Sequence, residues 1–264
     1  METDVLLQNL ELLILIFVRI FALISIAPLL SSAGVPGIAK VGISLFTAIV
    51  VFPWIAEQGY FIPESGFAYA MLIVGEIIIG LILGFMLTVI YAAFLLSGQL
   101  YSMQMGFGAS MVYDPLAQIQ IPLMGQFINL IAMLIFVIVG GFQKIFLMGV
   151  LRSFETIKAV DLLYLTDPLL KLILKSMTIL FEQALIIAFP ILGVLLLISV
   201  SMGLLAKAAP QMNLLMLGFP IKISMAFLML FLALPFIMEA FNRVIDSSFY
   251  ELMNFLNTLD GAGI

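Results

Sequence analysis

The chain has 264 residues, 64% of them hydrophobic and 9% charged, with a net charge of −5 and a mean hydropathy of +1.30. Soluble domains carry about a quarter charged residues, so this composition excludes an ordinary globular domain and reads as an integral membrane protein. Cysteine and histidine are both missing, which removes disulfides, thiolate nucleophiles, Ser-His triads and zinc chemistry, and most enzyme classes with them. No cofactor, metal or catalytic residue is expected. No basic stretch is dense enough for nucleic acid or a polybasic lipid site.

The apolar runs reach or exceed the ~18–20 residues that a bilayer crossing needs, and none carries the cleavage pattern of a signal peptide, so the N terminus is expected to stay. An acidic start, 1–8, leads into a first segment from about Asn9 to Leu30, with Arg19 at its centre and Pro28 near its end. Arginine costs about 2.5–3.5 kcal/mol on the insertion scale, which the surrounding Leu, Ile, Phe and Val can offset at about 0.3–0.6 each. A turn through Gly34, Val35 and Pro36 delivers the second segment, Ile38 to Ala56, with Lys40 at its mouth. After a polar link containing Gly59 and Pro63, a third run extends from Phe67 to Ser97 with Glu76 as its only charge. Its length implies tilt or extension beyond the hydrocarbon, and Gly80 and Gly84 form a small face for close helix packing.

The stretch from Gly98 to Gln126 is unlike its neighbours. Gly98, Gly106, Gly108 and Gly125 with Pro115 and Pro122 argue against one continuous helix, because glycine costs a helix about 1 kcal/mol and interior proline about 3. Yet Met103, Met105, Phe107, Met111, Val112, Tyr113, Leu116 and Ile119 are too apolar for an aqueous loop, and Asp114 is the sole charge; Ala109 and Ser110 complete its middle. Irregular backbone buried in protein or lining a cavity fits, and so does an interfacial loop folded on its own helices.

A fourth segment runs from about Leu123 to Gly141. The polar region Phe142 to Lys175 follows, holding Lys144, Arg152, Lys158, Lys171 and Lys175, half of the chain's basic residues. The run 146–157 reads as an interfacial helix and Asp167-Pro168 as a helix start. The fifth segment, Met177 to Ser199, contains Glu182 and a Pro190 that should kink it. The sixth, Leu214 to Ala240, contains Lys222 and Pro235, and an amphipathic helical tail, 241–259, precedes a fraying end. Six crossings place both ends on one side, and the lysines and arginines of 144–175 and Arg243 put that side in the cytoplasm.

Arg19, Glu76, Glu182 and Lys222 are the charges inside apolar segments, two of each sign. They could mark an ion or proton pathway; pairing between packed helices is the other reading, and the equal signs favour it. Between the fifth and sixth segments, Pro210 and Pro220 bracket a turn in which Gln211 and Asn213 can satisfy freed backbone groups, while Lys207 and Lys222 can meet acids or helix C-termini.

Several of these motifs together carry a resemblance over nearly the whole chain. They are Phe17-Val18-Arg19 with Pro28 and Gly34-Val35-Pro36 ahead of Lys40, Gly75-Glu76 with Gly80 and Gly84, and Gly98-Gln99 through Gln104-Met105-Gly106-Phe107-Gly108. The last is the run from Ala208-Ala209-Pro210-Gln211-Met212-Asn213 to Gly218-Phe219-Pro220-Ile221-Lys222. The chain resembles the FliR family of flagellar type III export-gate proteins, called SctT in virulence injectisomes, and resembles the flagellar branch more closely.

The resemblance implies an all-α membrane protein of bent helical hairpins, with about six hydrophobic segments, resembling a fusion of FliP-like and FliQ-like subunits. It implies one copy in a helical complex with those partners, beside FlhB-like and FlhA-like export components, in the inner membrane at the flagellar basal body. Its substrates would be unfolded flagellar proteins. In the family the loop matching Gly106 to Pro122 is a plug, which favours the internal reading of Gly106, Phe107, Gly108, Ala109, Ser110, Met111, Val112, Tyr113, Asp114, Pro115 and Pro122, with Met103 and Met105 as compliant packing. The four polar groups Lys207, Gln211, Asn213 and Lys222, with Pro210, Gly218 and Pro220, are expected to contact a neighbouring subunit. The rival function is a small-solute secondary transporter with Glu76 and Glu182 as coupling acids.

Overall fold

The computed structural model describes residues 2–28, 30–31, 34–63, 65–106, 112–113, 120–121, 123–159, 166–211 and 214–261. The chain is almost wholly helical: α1 (Glu2–Ile26), α2 (Gly37–Glu57), α3 (Gly66–Met105), α4 (Leu123–Ile138), α5 (Gly141–Lys144), a π-helical segment (Ile145–Arg152), α6 (Ser153–Thr156), α7 (Thr166–Ala208) and α8 (Leu214–Gly261). Between α3 and α4, β1 (Val112–Tyr113) pairs antiparallel with β2 (Gln120–Ile121). Five helices are long and apolar enough to cross a bilayer, and a sixth span is reached if the broken pair 124–138 and 141–156 counts as one. This is the all-α membrane architecture, with about six apolar segments, that the sequence predicts.

Two compact units form, one from 1–89, 140–176 and 247–264, the other from 90–139 and 177–246. In the first, Leu12, Leu15, Ile16, Ile20 and Leu23 repeat at helical spacing and bury one face of α1, and α1 packs on α2. The α1–α3 contact is closer still. A Cβ added at Gly80 would lie 2.3 Å from the carbonyl oxygen of Arg19, and one at Gly84 2.8 Å from that of Leu23. Only glycine lets the two backbones meet here. In the second unit Phe94 stacks at a tilt on Phe241, with centroids 4.2 Å apart, and Tyr91 meets Phe136 edge-on at 5.4 Å. Ile128, Ala132 and Phe136 of α4 and Ala184, Ile187, Ile191 and Leu195 of α7 supply the rest of that core at three- and four-residue intervals.

The elements depart from the sequence reading mainly by being longer. α1 already includes the acidic start from Glu2. α3 runs 40 residues, through Gly98 to Met105, although glycine there argued for a break. The reason is packing: a Cβ at Gly98 would lie 2.6 Å from the Cα of Gly125, so this glycine serves a backbone approach of α3 to α4 that offsets its helix cost. α7 starts at Thr166, beside the predicted Asp167-Pro168 start, and takes Lys171 and Lys175 into the helix. The break before α8 spans only 209–213, so Pro220 sits inside α8, and the sixth segment and the tail form one helix of 48 residues.

Candidate functional site

The stretch predicted as a plug is entered at Gly106, the last residue described before it. Its φ of 88° is a left-handed conformation that glycine takes without penalty. Its N–H donates to the Met103 carbonyl at 3.1 Å, ending α3 with a tight turn. Val112 faces Ile121 and Tyr113 faces Gln120 in the two-residue ladder, while Phe107, Gly108, Ala109, Ser110, Met111, Asp114, Pro115 and Pro122 lie outside the described residues. Met105 is buried; Met103 is 65% exposed. The Gly98–Gly125 approach holds the helices flanking this stretch together at backbone distance.

α7 and α8 clasp the same end of α3. Gln104 Nε2 donates to Ser199 Oγ at 3.5 Å, and the Phe219 ring covers the Gly106 backbone, since a Cβ there would lie 2.3 Å from Phe219 Cε1. Beside them an open, mostly apolar cavity of about 280 Å³ is lined by Ser199, Met202, Gly203, Ala206, Gly218, Phe219 and Lys222. Of the residues predicted to contact a neighbour, Lys207, Pro210, Gln211 and Pro220 are exposed, Gly218 is half-buried, and Asn213 lies outside the described residues.

Of the four charges predicted within apolar segments, two pair with each other. Arg19 and Glu76 are buried at 1% and 0% exposure and form an ion pair through Arg19 Nε. Arg19 also donates from one terminal nitrogen to Ser153 Oγ at 3.3 Å and from the other to the Ile157 carbonyl at 2.9 Å, and its guanidinium lies 3.8 Å from the centroid of the Phe154 ring. The second Glu76 oxygen accepts from the Tyr60 hydroxyl, which itself accepts from the Ala159 N–H at 3.4 Å. Burial first, and the Glu76 charge second, push the Tyr60 hydroxyl above its usual pKa, against a smaller opposite pull from Arg19. Tyr60 therefore stays a neutral donor. A buried pair in which each guanidinium nitrogen and each carboxylate oxygen has a partner fastens α1, Tyr60 of the link before α3, α3, α6 and the 157–159 segment at one point. Glu182, by contrast, is exposed on α7 and Lys222 half-buried on α8. Among the described residues no group of three acidic side chains could hold a metal ion.

Sequence reasoning finds Arg19 and Glu76 because a charge in an apolar run stands out. It misses Tyr60, Ser153 and the Ile157 carbonyl, which lie up to 138 residues away from Arg19 in the chain; it also misses Ser199, which looks like an ordinary helix residue, and the contact of Phe219, singled out only as part of a motif, with Gly106.

The family model described as bacterial export proteins, family 1, matches residues 10–248. The flagellar biosynthetic protein FliR of Bacillus subtilis strain 168 is 30% identical over 246 residues, covering 92% of this chain and 93% of that protein. The FliR of Escherichia coli K12 is 26% identical over 242 residues, 91% of each chain. The surface presentation of antigens protein SpaR of Shigella flexneri is 31% identical over 164 residues, 60% of each. With its motifs, its helices and a match from residue 10 to residue 248 in agreement, this chain belongs to the FliR family of bacterial export proteins.

Proposed function

We propose that this chain is a non-enzymatic subunit of the flagellar type III protein-export gate in the bacterial inner membrane, at the flagellar basal body. It assembles with FliP-like and FliQ-like subunits beside FlhB-like and FlhA-like components, and it forms part of the channel for unfolded flagellar proteins. The stretch 106–122 serves as its plug. The observation that carries this reading is the family match, near full length in the flagellar relatives and 60% of the chain in SpaR. Two features support it. The helices flanking 106–122 are tied together at Gly98 and Gly125, which sets the two ends of that stretch side by side. Large apolar side chains along α2, α7 and α8 are left uncovered, as partner subunits would require.

The transporter reading needs Glu76 as a coupling acid that loads and releases a proton or ion. Its carboxylate instead accepts from Arg19 and Tyr60 in a closed network, and Glu182 lies in the other unit. Affinity purification of the tagged chain from its native membrane, followed by mass spectrometry, tests the proposal. FliP-like and FliQ-like chains should co-purify at constant ratio; a homogeneous homo-oligomer lacking both would defeat it.

A further inference from the structure

We infer that the groove between α1 and α2 is a docking surface for a neighbouring subunit, and that its occupant is the end of an apolar helix carrying a lysine or arginine. The docking rests on the proposed assembly of this chain with other subunits, and it adds where one of them seats and by what chemistry.

α2 packs on α1, and its buried residues Ser44, Ala48, Val51 and Ile55 recur at three- and four-residue spacing. The opposite face is open: Ile38, Leu45, Phe46 and Ile49 are exposed, Phe46 at 70%. α1 likewise leaves Leu6, Leu10 and Ile14 exposed. Between the two helices a cavity of about 240 Å³ is lined by Leu6, Asn9, Leu10 and Leu13 of α1 and by Ile49 and Phe52 of α2. That is short of the ~300–1,000 Å³ of a small-molecule pocket. Positions 6, 9, 10 and 13 instead present one helical ridge beside a groove, the shape that receives the side chains of a third helix.

Two features select a helix over lipid. The Asn9 carboxamide has no hydrogen-bond partner among the described residues; lipid tails offer it none, whereas amide side chains bond across packed membrane helices. The second is charge. α1 begins with Glu2 and Asp4, Glu11 falls within the lining stretch of α1, and the exposed Glu57 ends α2 five residues past Phe52, while residues 1–18 and 41–74 hold no lysine or arginine. The cations of this unit are engaged elsewhere. Lys40 donates to the Ser31 carbonyl at 3.1 Å, Lys144 lies over the Phe249 ring, Arg152 reaches Glu155 and Asn257, and Lys175 pairs with Glu251. Lys158 and Lys171 pair with no acid among the described residues. An apolar groove rimmed by unpaired carboxylates repels anionic headgroups and attracts a cation at the end of an apolar segment. A second copy of this chain in a two-fold contact would bring the same acids against themselves, which disfavours it as the occupant.

The test uses the complex purified through a tag on the full chain from its native membrane. The photo-cross-linking amino acid p-benzoylphenylalanine, placed at Leu10 or at Phe46, should attach to the same co-purified subunit, within an apolar helix bordered by lysine or arginine. Ile49→Trp stays apolar, and so suits lipid, but fills the groove; it should lower recovery of that subunit several-fold. Glu57→Lys should lower it as well, while Glu57→Asp, which keeps the charge, should leave it at the parental level. Adducts to lipid alone, to a second copy of this chain, or to a segment without a basic residue overturn the docking, and so does parental recovery in both Ile49→Trp and Glu57→Lys. Should the Ile49→Trp chain fail to accumulate, Leu10→Phe is read in its place: a several-fold loss is expected, and parental recovery overturns the docking. If the parent chain itself co-purifies with no FliP-like or FliQ-like subunit, the export-gate reading falls and the docking with it. If those subunits co-purify but the adducts go to lipid, the docking alone falls.

Discussion

A guanidinium in the middle of an apolar helix must find its counter-charge within reach or neutralise the gain of burying everything around it. Arg19 finds Glu76 and spends its remaining donors on Ser153 and the Ile157 carbonyl. Removing one partner of such a pair leaves a bare buried charge and costs about 3–5 kcal/mol, whereas replacing both by apolar groups can be nearly neutral. Glu76→Gln or Arg19→Met should therefore sharply lower the yield and thermal stability of the purified complex, and the double variant Arg19→Met, Glu76→Leu should recover part of the loss. Thermal shift of the detergent-solubilised complex reads this directly. Normal assembly of Glu76→Gln with selective loss of proton-dependent export would instead make this pair a relay. At this scale the sequence exposes the charges but hides their company, because the Tyr60 hydroxyl and the Ser153 hydroxyl are brought in only by tertiary packing.

At the scale of helices, glycine proves to be a packing residue more often than a breaker. Gly75, Gly80 and Gly84 leave no room for a side chain: a Cβ would lie 2.8 Å from that of Ala159, 2.3 Å from the Arg19 carbonyl and 2.8 Å from the Leu23 carbonyl. Backbone cannot swing aside as a side chain can, so Gly80→Ala should cost about 1–3 kcal/mol by overpacking. Gly193→Ala on α7, with nothing within 4 Å, should instead gain about 0.5–1 kcal/mol from helix propensity. Comparing melting temperatures of the two variants in the same complex checks the pair, and equal effects would mean that α1 and α3 are not in backbone contact. The existence and order of the helices, including the six-segment count and the Asp167-Pro168 start, are legible because apolar runs of this length have few alternatives. Their ends are not, since continuation through Gly98 depends on Gly125 across the contact. The π-helical geometry of Ile145–Arg152 has no signal in its sequence, where Gly149 is the only helix-weakening residue. It stands just ahead of Ser153 and Ile157, the residues that Arg19 pins.

On the scale of the molecule, the main fact is how little of the apolar surface this chain covers for itself. In the apolar windows of α2, α7 and α8 only 22% of residues are buried, against 59% in α3. Lipid can cover such faces, and so can neighbouring subunits, and the two make different demands. A lipid-covered chain is complete alone, and detergent should replace lipid without changing its state. A chain built for partners keeps side chains such as Phe189, Phe231 and Met216 for interfaces that only the assembly supplies. At about 25 cal/mol per Å², a thousand Å² of such surface is a driving force of about 25 kcal/mol before the losses of association, ample to hold a complex and equally ample to aggregate an orphan. Expressed alone and extracted in mild detergent, the chain should elute as aggregate or be degraded in the cell. Co-expressed with FliP-like and FliQ-like subunits from the same operon source, it should elute as one sharp species containing all three. Size-exclusion chromatography with multi-angle light scattering separates these outcomes. A stable, monodisperse monomer from the chain alone would mean that lipid covers the faces of α2, α7 and α8, and would remove the structural support for an assembled gate.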